Sequence, residues 1–270
     1  MVHNDVKDAL DRLRLFATKH YDLKNLEKIF YGDYRRRAEL LTAISNNVPK
    51  GSTILDAGSS PGFTSLALKF MGYNVHSIDI NPEPYSNILE AQGIKVYKVD
   101  LECDKIPLGD ETVDCICFTE VLEHLSPYNI PYTLSELNRV LKVGGLLFLT
   151  SPNLASIGKR VKLLLGNQII PDIHVREYTL KDVIKLLKEC GFIISKAGYS
   201  MAYNLTPHDA SGEDYCRDLL TAFLKYPTKE NLFHIFTLPI VLIIPSLRAT
   251  LFIIARKSRY VKPRILRKFW

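Results

Sequence analysis

The alternation of short apolar, β-branched runs with helix-periodic segments limits this chain to an α/β fold. Residues 53–56, 74–80, 95–100, 113–119, 146–151, 192–199 and 249–255 read as strands. Helical patterns fall between them at 64–70, 84–91, 132–141 and 180–190. Strands of this kind, apolar along their length and alternating with helices, form a parallel sheet covered on both faces. The pattern is organised around TILDAGSSPGF at 53–63, where a strand ends in an acid, a loop of small residues follows, and a helix begins. Glycine lets the backbone approach a ligand closely, and the helix start offers unpaired N–H groups. At the carboxyl end of a strand, such a loop can cradle a nucleotide-like ligand.

Acids end three consecutive strand candidates: Asp56, Asp79 and Asp100. Asp79 stands 23 residues after Asp56, the place and spacing of an acid that accepts hydrogen bonds from both ribose hydroxyls. The fourth strand runs into Thr119-Glu120-Val121-Leu122-Glu123-His124-Leu125, and Leu141-Lys142-Val143-Gly144-Gly145 marks a helix end with a glycine turn. The loop and the ribose acid alone also suit a nicotinamide-dependent dehydrogenase.

In order, the pieces ILDAGSSPGF, VHSIDI, VYKVDLE, VDCICFTEVLEHL, LNRVLKVGGLLFLTSPN and HVREYTLKDVIKLLKECGF occupy roughly residues 50–200. Together they resemble the class I S-adenosylmethionine-dependent methyltransferases, in their small-molecule branch. The resemblance implies a Rossmann-like three-layer sandwich with a seven-stranded, mostly parallel sheet. Its last strand, 249–255, would be antiparallel and slotted between the fifth and sixth. S-adenosylmethionine would be the cofactor and S-adenosylhomocysteine the product. Gly58, Ser60 and Gly62 would form the loop against the methionine part, and Asp56 would reach its ammonium. Asp79 would hold the ribose with Ile80 packed on the adenine, and Asp100 would accept from the adenine amino group with Leu101 beside the ring. Thr119 and Glu120 would open the wall between methyl donor and acceptor. One position departs from the family: its usual middle glycine is Ser60 here, followed by Pro61.

On the acceptor side, His124 is the candidate general base, since a neutral imidazole suits a hydroxyl acceptor near neutral pH. A supporting or core histidine is the other reading. Asn153, at the head of a helix-like stretch, and the group His174, Arg176 and Tyr178 are candidate acceptor contacts. Arg176 would grip an anionic acceptor or pair with Glu177. The segments SPNLASIGKRVKLLLG and HVREYTL look like those of methyltransferases acting on sugars or glycan precursors, which points to O-methylation of a saccharide or lipid-linked precursor. A non-catalytic methyltransferase-like scaffold at a membrane surface is the alternative, resting on Ser60 and the basic tail.

The domain expectation is a helical N-terminal cap at 1–48, a methyltransferase domain at 49–256 with a helical insertion at about 201–247, and a basic tail at 257–270. In the cap, Tyr34-Arg35-Arg36-Arg37 reads as a solvated helix face that brings one Arg near a carboxylate. The formal net charge is +6. The last fifteen residues hold seven of the 35 basic residues and no acid, so the body keeps 28 against 29 acidic residues, a net of −1. That places the positive excess in the tail and argues against a nucleic-acid groove. Prolines 239 and 245 leave the apolar run near 235–244 too short for a span, which needs about 20 residues. The apolar 232–247 segment and the tail instead suggest peripheral contact with a membrane. The five cysteines, Cys103, Cys115, Cys117, Cys190 and Cys216, lack metal-ligand spacing and read as reduced core residues, with no metal expected. A polar N-terminus without a secretory pattern completes the expectation of a cytoplasmic protein of undetermined oligomeric state.

Overall fold

The computed structural model describes residues 4–22, 33–200, 224 and 229–259. Two helices, α1 (Asn4–His20) and α2 (Tyr34–Asn47), precede the sheet. Then come β1 (Thr53–Ala57), α3 (Phe63–Phe70), β2 (Asn74–Asp79), α4 (Ser86–Glu90), β3 (Lys95–Lys98) and β4 (Val113–Thr119). A 3-10 turn, Leu122–His124, leads through α5 (Ile130–Val140) to β5 (Leu141–Pro152). Helices α6 (Ile157–Leu164) and α7 (Leu180–Glu189), β6 (Phe192–Ser200), α8 (Lys229–Ile243) and β7 (Thr250–Lys257) complete the order.

The sheet order is β3-β2-β1-β4-β5-β7-β6, with β7 antiparallel to both β5 and β6. This is the Rossmann-like arrangement expected, with the late strand slotted between the fifth and sixth. Period-two alternation feeds two cores on opposite faces. Ile54, Cys115, Cys117 and Phe148 pack with Leu10, Leu13, Leu41 and Phe63 of the helices on one side. Leu55, Ala57, Ile116 and Phe118 pack with Leu134, Leu137 and Leu187 on the other. Each strand therefore sits between two apolar layers, and the polar strand ends and loops are left to build a site. Helix α7 begins at a capping box in which Thr179 and Asp182 satisfy each other's backbone N–H groups.

Several expectations change. Cys115, Cys117 and Cys190 are buried as expected, but Cys103 is exposed, and Cys216 lies outside the described residues. Residues 201–223 of the expected insertion and 260–270 of the tail also lie outside them. The expected tail begins at 257, yet Lys257 belongs to β7 and is 1% exposed. Its ammonium donates to Leu141 O at 2.8 Å and pairs with Glu111, so this charge is structural. Pro239 stands inside α8 and a 3-10 turn, Pro245–Leu247, hands the chain to β7. Among the described residues, no helix is long and apolar enough to cross a membrane.

Candidate functional site

The loop after β1 is held to β2 by its backbone: the N–H groups of Gly58 and Ser59 donate to Ile78 O at 2.9 and 3.2 Å. Gly58 adopts φ +77°, and a Cβ there would stand 2.2 Å from Val121 Cγ2. Gly62 adopts φ +92°, and its Cβ would meet Leu89 at 2.6 Å. Both positions require glycine. Ser60 does not: it is exposed, its φ is not positive, and its N–H donates to Asp79 Oδ2 at 2.9 Å. The departure from the family pattern is therefore accommodated without backbone strain. From the cap, the Tyr21 hydroxyl donates to Pro61 O at 3.0 Å and its ring stacks near Phe63 and Tyr85, bracing the loop.

A cavity of about 130 Å³ lies against this loop and brings together five of the expected residues: Asp56, Gly58, Ser60, Thr119 and Glu120. Asp33, Arg36 and Arg37 line it from the α2 side. Here the reading of the arginine run as a solvated face is overturned. Arg37 is 6% exposed, and burial pulls its guanidinium down to about 10. Arg36 pairs with Asp33 and, at 2.8 Å, with Glu120, which is the expected approach of one Arg to a carboxylate. Asp56 is 2% exposed, and burial pushes its carboxyl up to about 6 although Ser65 Oγ donates to it at 2.6 Å. A carboxylate held in this way gains most from a cation entering the cavity.

Gly62, Asp79, Ile80, Asp100 and Leu101 lie outside the cavity lining. Asp79 accepts N–H groups from Ser60 and Asn81, one on each oxygen, and each oxygen retains acceptor capacity. Ile80 is 60% exposed beside it, an apolar face open for packing. Asp100 Oδ1 accepts from Glu102 N–H. Leu101 is a correction: it is buried in the core on the α5 face, where Thr133 bonds its carbonyl.

The acceptor-side residues divide. His124 is exposed, and its Nδ1 lies 2.9 Å from Ile173 O. A carbonyl only accepts, so Nδ1 carries the proton and Nε2 keeps its lone pair. His174 places Nδ1 2.9 Å from Glu177 Oε1, and the two imidazoles meet edge to face at 4.9 Å. Buried Glu177 also takes Lys159, whose ammonium burial pulls down to about 8. Asn153 is corrected from acceptor contact to scaffold. It is fully buried, with Nδ2 donating to Ser246 O and Arg248 O and Oδ1 accepting from Ala155 N–H. Tyr178 is likewise a core residue at 4% exposure, and exposed Arg176 lies 5.4 Å over its ring rather than pairing with Glu177. The sequence reading missed Glu123, which is 1% exposed, bonded by Ser151 Oγ at 3.1 Å, and pushed up to about 8 by burial and by Glu120. It also missed Lys159 and the part played by Glu177. The only signal for Glu123 was its place between Glu120 and His124.

Residues 55–149 match the methyltransferase domain family. A protein of Mycobacterium sp. (strain JLS) described as an uncharacterized methyltransferase is 31% identical over 114 residues, covering 42% of this chain. The chain spans 44% of that relative's length. A SAM dependent methyltransferase from Archaeoglobus fulgidus superposes with a TM-score of 0.55 at 19% identity, over 83% of this chain and 97% of its own. A chain from the complex between the Haloferax volcanii Trm112 methyltransferase activator and a methyltransferase gives 0.53 at 15% identity, over 95% and 98%. The strand order is that of the Rossmann-like fold these structures share, and the methyltransferase domain match covers its first five strands. The residues fit S-adenosylmethionine at the cavity: Gly58, exposed Ser60 and buried Asp56 line it together, with Arg37 also acting on the Asp56 carboxyl.

Proposed function

We propose that this chain transfers a methyl group from S-adenosylmethionine to a hydroxyl of a small-molecule acceptor, a saccharide or lipid-linked precursor. The observation that carries the reading is the cavity where the Gly58–Gly62 loop, buried Asp56 and the Thr119-Glu120 wall meet. Bound there, the cofactor supplies a methyl group already activated on a sulfonium, so the protein's work is alignment and shielding from water. Gly58, Ser60 and Gly62 admit the methionine part, and Asp56 holds its ammonium. Asp79 takes the ribose hydroxyls, Ile80 covers the adenine, and Asp100 accepts from its amino group. Thr119 and Glu120 separate donor from acceptor, while His124 Nε2, His174 and Arg176 face the acceptor side. The lipid-linked reading is supported by Leu164, Phe236 and Ile243, which are 85%, 71% and 80% exposed. They stand on α6 and α8, which share a small core around Val241 and Ile157, so this apolar surface also suits peripheral membrane contact.

Calorimetry with S-adenosylmethionine and with NAD tests the cofactor. Binding of the first and not the second is expected, and binding of neither overturns the reading. Asp79→Ala should weaken S-adenosylmethionine binding at least about tenfold, since both oxygens of a charged hydrogen-bond acceptor are lost.

A further inference from the structure

We propose that Glu123, His124 and His174 bind one divalent transition-metal ion beside the acceptor. The inference rests on the reading above only for what the ion would touch. One donor atom from each residue lies within 4.8 Å of the other two. A metal about 2.1 Å from each would bring the donors to roughly 3–3.5 Å apart, a closure of at most about 2 Å.

Three independent features show that the cluster is built. Both histidines commit Nδ1 to an acceptor, His124 to Ile173 O and His174 to Glu177 Oε1, which leaves both Nε2 lone pairs available. Orienting a ligating histidine through its other nitrogen is the usual support around a metal. Next, the two ligand-bearing segments are tied together: the N–H groups of Val175 and Arg176 donate to Glu123 O at 2.9 and 3.2 Å. Finally, the neighbouring acid has an unused acceptor. Among the described residues, Glu120 Oε1 is buried with no hydrogen-bond partner while its Oε2 pairs with Arg36.

Two imidazoles and one carboxylate form a mixed nitrogen–oxygen set suited to Mn²⁺, Fe²⁺, Co²⁺ or Zn²⁺, with coordination positions left open. An acceptor hydroxyl in an open position would be oriented and made more acidic. His124 is then a ligand and no longer the base, because a single lone pair cannot serve both.

The test uses the full, tag-free chain stripped with chelator, titrated with Co²⁺ and Mn²⁺ by calorimetry, with the Co²⁺ visible spectrum as a second readout. One ion per chain with micromolar affinity is expected. His124→Asn and His174→Asn keep an amide N–H in place of Nδ1, so the bonds to Ile173 O and Glu177 survive while the ligand is lost. Each should weaken metal binding at least about tenfold, with metal-free thermal unfolding unchanged. Failure of the wild-type chain to bind either ion, or wild-type affinity in both variants, overturns the site. S-adenosylmethionine titrated into the same samples separates the two readings: metal bound without cofactor sinks the methyl-transfer reading alone, and cofactor without metal sinks the site alone.

Discussion

Gly58→Ala tests the geometry on which the cofactor loop depends. The native φ of +77° places alanine in the left-handed region, at a cost of about 1–2 kcal/mol. The new Cβ would stand 2.2 Å from Val121 Cγ2, where carbon atoms prefer about 3.5–4.0 Å. Val121 is β-branched and stiff at χ1, so relief must come from backbone movement, adding about 1–3 kcal/mol of overpacking. The total, about 2–5 kcal/mol, corresponds to a fall in Tm of roughly 5–15 °C for a protein of this size. Thermal and urea unfolding followed by circular dichroism would measure it. The two parts separate in a double-mutant cycle with Val121→Ala, which removes the opposing methyl groups. The pair should recover about 1–3 kcal/mol relative to the sum of the single variants, leaving only the left-handed cost. A Gly58→Ala chain within about 0.5 kcal/mol of wild type, or additivity in the cycle, would refute the reasoning.

Asp56 makes cofactor affinity pH-dependent. Burial raises its carboxyl from 3.8 to about 6, so the folded chain keeps a proton that the unfolded chain has released. The free protein should therefore lose stability, on the order of 3 kcal/mol, as pH rises from about 4 to about 6. Binding of a cationic ammonium needs the ionised form, so calorimetric affinity should fall about tenfold per unit below pH 6, and a flat profile from pH 5 to 7 would remove Asp56 from the ammonium site. Asn153→Ala strands three partly buried backbone groups and should cost about 2–4 kcal/mol in urea unfolding. Unchanged stability with a raised acceptor KM would restore its role as an acceptor contact.

The sheet was legible because apolar, β-branched strands alternate with amphipathic helices, and both periods follow from local geometry. Ile54 and Leu55, or Cys117 and Phe118, fall into opposite cores because successive side chains leave a strand on opposite faces. The loop was legible for a similar reason: glycine and small residues mark where the backbone turns tightly, and the structure requires glycine at Gly58 and Gly62. Solvent exposure was the harder inference. Arg37 and Lys257 look like surface charges, yet both are buried, because what covers them comes from distant parts of the chain. Lys257 finds Leu141 O, 116 residues away.

The acceptor side shows the same division. Asn153 and Tyr178 carry polar groups that look available, and only packing turns them inward, Asn153 to the turn before β7 and Tyr178 into the core. Glu123 and His174 are far apart in the chain, and no local pattern joins them. Their meeting depends on the bonds from Val175 and Arg176 to Glu123 O and on the bond from His124 to Ile173 O. Local residue order was thus sufficient for the strands, the glycine loop and the acids at the strand ends, because each depends on near neighbours. Which charges are buried, which arginines line the cavity, and which three donor side chains converge were decided by the tertiary structure, because each is a long-range contact made when the layers pack.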